Sequence, residues 1–131
     1  MLNGEFSLEF DKEEVVHKIK KYLYNKENIM SAYIFGSFDT EKFTDKSDID
    51  IAILTDKDIL YEEWSRIKSE LEDIIGIPID LNNINSLPEF IQVKVIEINK
   101  KIFVKDYVLE EEYLNKLNNW KQSEWELWKI L

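Results

Sequence analysis

Apolar residues change their spacing several times along this chain, and each change marks an element. Val15, Val16, Ile19, Tyr22 and Leu23 recur at helical steps, Asp11 stands where an N-cap belongs, and Glu14 follows three residues on. A helix is predicted from there to about Asn25. Ile29 to Phe35 is a short apolar run closed by Gly36-Ser37, and Ile49 to Leu54 is another, so both read as strands. Between them Phe38 to Lys46 is polar and lacks apolar periodicity, which suits a short helix and a loop that bring the second strand back beside the first. Leu60, Trp64, Ile67, Leu71, Ile74 and Ile75 step by three and four, which predicts a helix over Asp56 to Ile75 with Gly76 as its stop and Trp64 in the core. Ile77 to Ile84 reads as a third strand, short enough to lie beside the second in a mixed sheet. Ser86 as N-cap and Pro88 in the first turn open a helix that ends near Asn99. Lys101 to Lys105 is a short edge strand guarded by lysines, and Val108 to Leu131 a last helix.

These elements alternate without repeats, linkers or low-complexity tracts, so residues 1–131 form one α/β (α+β) domain, a small mixed sheet with helices packed on it and a C-terminal helix. Composition narrows the partners. The net charge of −10, from 17 basic and 27 acidic residues, argues against direct nucleic-acid binding, which relies on Lys and Arg at phosphates, and favours a basic protein partner. With no cysteine there are no disulfides and no thiolate zinc sites. No signal peptide and no membrane-length apolar run is visible, so a soluble, cytoplasmic protein is expected. His17 is the single histidine and receives no role. Trp120, Trp125 and Trp128 read as core closure, with a docking surface as the alternative. The acidic run Glu110 to Glu112 reads as a favourable helix N-terminus.

Asp48 and Asp50 carry the chemistry. Two carboxylates at i and i+2 share a strand face, where they repel unless protonated or bridged by a cation; such hard oxygen ligands suit Mg²⁺. Upstream, Gly36 permits the close backbone approach that a phosphate needs and Ser37 can donate to a phosphate oxygen. Asp80 adds a carboxylate on a third strand.

Gly36-Ser37, ten residues, then Asp48-Ile49-Asp50 resembles the signature of the DNA polymerase beta-like nucleotidyltransferase superfamily in its minimal (MNT) form, and in particular the MNT-type antitoxins of HEPN/MNT toxin–antitoxin pairs. The resemblance takes in Asp80, the following Asn85-Ser86-Leu87-Pro88 and the short strand Lys101 to Val104. It implies a polymerase beta-like fold and transfer of a nucleoside monophosphate from a triphosphate to a hydroxyl. Asp48, Asp50 and Asp80 would be catalytic metal ligands for two Mg²⁺ ions, while Gly36 and Ser37 would seat the phosphates. It further implies ATP as substrate and a tyrosine of a HEPN ribonuclease toxin as acceptor, within a hetero-oligomer of the two proteins. Two alternatives stand beside this: a module that silences its partner by binding alone, and a small-molecule nucleotidyltransferase of the aminoglycoside-modifying sort. One departure bears on the first alternative. The resembling families commonly carry a glycine four residues after the serine and a basic residue just before that glycine, where this chain has Glu41 and Thr40.

Overall fold

The computed structural model describes residues 12–38, 40–44, 46–98 and 100–125. Its centre is a pair of strands whose residues face apolar layers on both sides. β1 (Ile29–Phe35) and β2 (Ile49–Thr55) each bury six or more successive positions wholly or partly, which is why neither alternates polar with apolar. β1 runs antiparallel to β2 on one side and to β4 (Lys101–Val104) on the other, while β3 (Ile79–Asn83) lies parallel to β2, giving the order β3-β2-β1-β4. The sheet is mixed, as the pattern predicts, and β4 is an edge.

Alternation sorts the side chains into two cores. Ala32, Ile34, Ile49, Ile51, Ile53, Ile79 and Leu81 pack with Ile19 and Leu23 of α1 (Lys12–Tyr24) and with Ile67 and Leu71 of α2 (Tyr61–Ile75). On the other face Tyr33, Ala52 and Leu54 meet Val93 and Val95 of α3 (Glu89–Ile98) and Tyr113 and Leu117 of α4 (Tyr107–Trp120). Trp64 is partly buried against the first core, its indole nitrogen donating to the Leu81 carbonyl at 3.3 Å.

Several boundaries differ from the sequence reading for local reasons. α2 begins at Tyr61 rather than Asp56, because the Asp56 N–H is bound to the Asn28 carbonyl and residues 56–60 are spent on the crossing; it ends as expected at Gly76, φ +80°. β3 stops at Asn83, whose side chain accepts from the Asn85 N–H and opens a 3₁₀ turn, Ile84–Ser86. Ser86 therefore lies in that turn and is not an N-cap; the carbonyl of Pro88 takes the N–H groups of Ile91 and Gln92 at the start of α3. α4 starts at Tyr107, capped by Asp106, and gives way after Trp120 to a wider turn, Lys121–Trp125. The expected Asp11 cap and the stretch from Leu127 to Leu131, including Trp128, fall outside the described residues.

The helix expected after Ser37 is absent among the described residues, which form turns and bends. Phe38 and Phe43 explain it. Both are buried and meet edge to face at 5.0 Å, and the Thr40 hydroxyl and N–H both bond back to the Ser37 carbonyl, a local alternative to helical pairing.

Candidate functional site

The strand register brings the expected carboxylates to one place. Asp50 of β2 is the register partner of Asp80 on parallel β3 and, on its other side, of Phe35, the last residue of β1. Asp48 stands one residue before β2, exposed, and Gly36-Ser37 begin the turn that leaves β1. All belong to the end of the sheet where β1 finishes and β2 and β3 start. Because Asp50 precedes Ala52 by two residues, it lies on the sheet face that α3 and α4 cover.

Gly36 is fixed there by two independent constraints. Its φ is +75°, a left-handed conformation that L side chains rarely adopt, and a Cβ at this position would stand 2.1 Å from Asp50 Oδ2. The Asp50 carboxylate thus fills the space that a side chain at position 36 would need. This direct coupling between the two motifs lies beyond a reading of spacing alone.

The electrostatics are those of crowded acids. Burial, a hydrogen bond with Asp80 and the charges of Asp80 and Asp48 together push the Asp50 carboxyl up to about 6. Asp80 thus acts on Asp50 by a hydrogen bond and by charge, and Asp48 acts on it by charge alone. Among the described residues no three acidic or imidazole groups form a ready-made cation cage. The donor set nonetheless fits a hard divalent cation: all oxygen, acidic, and carrying a repulsion that such an ion would relieve.

Two charged residues near the site escaped the sequence reading. Glu110 of α4, read there as a helix-terminus acid, is 5% exposed; it accepts a hydrogen bond from the Tyr33 hydroxyl and pairs with Lys101 Nζ at 3.1 Å. The sequence did hold a signal, since Glu110, Tyr113 and Leu117 fall on one helical stripe. Lys12, at the start of α1, reaches the loop after Ser37, where its Nζ lies 3.4 Å from the Thr40 carbonyl and over the rings of Phe38 and Phe43, at 5.6 and 5.8 Å from their centroids. His17 is exposed on α1, and no helix among the described residues is long and apolar enough to cross a membrane.

Comparison with known proteins points the same way. Two proteins of Methanocaldococcus jannaschii, each named a protein adenylyltransferase, are 36% and 35% identical to this chain over 74 and 68 residues, which is 56% and 52% of this chain and 76% and 69% of theirs. Among solved structures, a toxin–antitoxin with AMP-PNP superposes with a TM-score of 0.65 at 21% identity, covering 88% of this chain and 94% of that one. A tri-AMPylated Shewanella oneidensis HEPN toxin in complex with MNT antitoxin does so with a TM-score of 0.59 at 18% identity, covering 91% and 97%. At these identities the structures establish the fold, which is the expected one. The description "Polymerase beta, Nucleotidyltransferase" matches residues 17–108, a span that contains Gly36, Ser37, Asp48, Asp50 and Asp80. This chain belongs to the polymerase beta family of nucleotidyltransferases.

Proposed function

We propose that this protein transfers AMP from ATP to a tyrosine hydroxyl of a HEPN-type toxin and so acts as that toxin's antitoxin. The observation that carries the reading is the register pairing of Asp50 with Asp80 beside a Gly36 turn that Asp50 itself keeps free of a side chain. Adenylyl transfer and the toxin partner come from the similar proteins, the former from the M. jannaschii relatives and the latter from the toxin–antitoxin structures.

In this scheme the Gly36-Ser37 turn receives the β- and γ-phosphates, with the Ser37 hydroxyl donating to a phosphate oxygen. Asp48, Asp50 and Asp80 would hold two Mg²⁺ ions. Those ions would neutralise the triphosphate and the charge that builds at the α-phosphorus. Asp80 lies outermost, on the edge strand, and takes the side of the acceptor. The acceptor oxygen attacks the α-phosphorus, the bond from that phosphorus to the β-phosphate oxygen breaks, pyrophosphate leaves, and the hydroxyl proton passes to solvent by way of Asp80. Exclusion of water falls to the acceptor protein, because Asp48 and Asp80 are both exposed in the isolated chain.

A specific observation supports a second reading, silencing by occlusion. The loop after Ser37 has no helix among its described residues and so offers no helix N-terminus to phosphate, and Glu41 in it is exposed. Intact mass of the cognate toxin after incubation with this protein, ATP and Mg²⁺ separates the two. Gains in steps of one AMP, lost with Asp48→Asn/Asp50→Asn, support transfer. A stable complex without a mass gain overturns transfer in favour of occlusion.

A further inference from the structure

A triphosphate brings about four negative charges to a site whose own side chains are acids, and a loop that receives it needs a cation that is held in place. The residues nearest in sequence provide this poorly. Lys42 and Lys46 are exposed and their ammonium groups make no hydrogen bond, ion pair or ring contact among the described residues, and Glu41 beside Lys42 is an exposed acid. Lys12 is different. Its ammonium comes from another element altogether, the first residue of α1, and is seated by three contacts: the Thr40 carbonyl at 3.4 Å and the faces of Phe38 and Phe43. Both rings are buried, so the seat is rigid, and Lys12 has no carboxylate partner among the described residues.

The seat is joined directly to the Gly36-Ser37 turn. Thr40, whose carbonyl takes Lys12, itself donates to the Ser37 carbonyl twice, from its N–H at 2.9 Å and its hydroxyl at 2.7 Å. An ammonium has three donors, and one weak bond to a carbonyl leaves two to spend. Resting on the proposed use of ATP, we infer that Lys12 is a triphosphate-binding residue: it supplies from α1 the fixed positive charge that the loop's own sequence lacks, and it contacts the β- or γ-phosphate.

A residue that merely braces the loop would affect every nucleotide alike, whereas one that contacts the terminal phosphates distinguishes ATP from AMP. Calorimetric titration of the full chain with ATP and with AMP, each with Mg²⁺, reads this difference. Lys12→Gln is expected to weaken ATP about ten-fold, the loss of one charge-assisted bond, and to leave AMP unchanged. Lys12→Arg should restore most of the ATP affinity, and Lys20→Gln, an equal loss of charge on the exposed face of the same helix, should change neither. If Lys12→Gln binds ATP as tightly as the unaltered protein, or loses ATP and AMP in equal proportion, the inference is overturned while nucleotidyl transfer stands. Should the unaltered protein bind neither nucleotide, the proposed function itself fails.

Discussion

Gly36 and Asp50 share one space: the carboxylate oxygen Oδ2 of Asp50 sits 2.1 Å from where a Cβ of residue 36 would be. Gly36→Ala must therefore displace either the turn or the carboxylate, on top of the strain of a φ of +75°. A loss of roughly 2–4 kcal/mol is expected together with loss of nucleotidyl transfer. Gly76 provides the comparison, with a φ of +80° but nothing within 4 Å. Gly76→Ala should cost only about 1 kcal/mol and leave transfer intact. Denaturant unfolding alongside an activity assay distinguishes a lost site from a lost fold.

The crowded carboxylates should make the metal-free site a source of instability above pH 6. Asp50 is pushed up to about 6 by burial, by the hydrogen bond to Asp80 and by the charges of Asp80 and Asp48, against 3.8 for the free side chain. The folded form thus holds this proton more tightly than the unfolded chain. The stability it contributes is full below the unfolded value and disappears as pH rises through 6, leaving net repulsion. Asp50→Asn should accordingly stabilise the metal-free protein at pH 8 by on the order of 1 kcal/mol once solvent screening is allowed for, read as a higher melting temperature, and by much less below the unfolded value of 3.8. Added Mg²⁺ should stabilise the unaltered protein at pH 8 and have little effect on the variant. Equal melting temperatures at pH 8 would contradict the crowding.

How far the sequence revealed this site depends on the range of the interaction. Asp48-Ile49-Asp50 and Gly36-Ser37 were legible because one strand period and one interval of ten residues carry them. The pairing of Asp50 with Asp80 needed only the guess that β3 lies beside β2. Lys12 was not legible, since its bond to Thr40 spans 28 positions, nor was the bond between Tyr33 and Glu110, which spans 77. The missing helix after Ser37 was misread because its cause is tertiary, the burial of Phe38 and Phe43, while the residues between them are polar and locally neutral.

Glu110 ties α4 to β1, the strand that leads into the Gly36 turn, and its partners make it costly to remove. Glu110→Ala leaves the buried Tyr33 hydroxyl with Ser31 Oγ alone, at 3.3 Å, and strips Lys101 of its partner. A loss of about 2–3 kcal/mol is expected. Tyr33→Phe removes both bonds of the hydroxyl, the one to Glu110 and the one from Ser31, while Glu110 keeps Lys101, and should cost about 1–2 kcal/mol. The double variant should lose less than the sum, with the difference measuring the coupling. Burial and then the bond to Glu110 hold the Tyr33 phenol well above its ordinary value, so Glu110→Ala should also let Tyr33 ionise at lower pH in a spectrophotometric titration.

At the opposite side of the site, the start of β3 is held by a side chain as well as by its pairing with β2. Glu72 Oε2 accepts the Ile79 N–H at 2.8 Å, one residue before Asp80, and also Lys68 Nζ at 3.1 Å. The backbone bond, and secondarily Lys68, holds the Glu72 carboxyl below its ordinary value despite partial desolvation. Its contribution is therefore present above the ordinary carboxylate pKa and is lost as pH falls through the lower folded value, the reverse of the direction at Asp50. Glu72→Ala should cost about 1 kcal/mol at pH 7, whereas Lys68→Ala, removing an exposed i,i+4 pair, should stay within about 0.5 kcal/mol. Because Ile79 is the residue that delivers Asp80 to Asp50, Glu72→Ala should also lower nucleotidyl transfer several-fold, and Glu72→Gln, which keeps an acceptor oxygen for the Ile79 N–H, should recover most of it. Transfer unaffected by Glu72→Ala would mean that the ladder to β2 alone fixes Asp80.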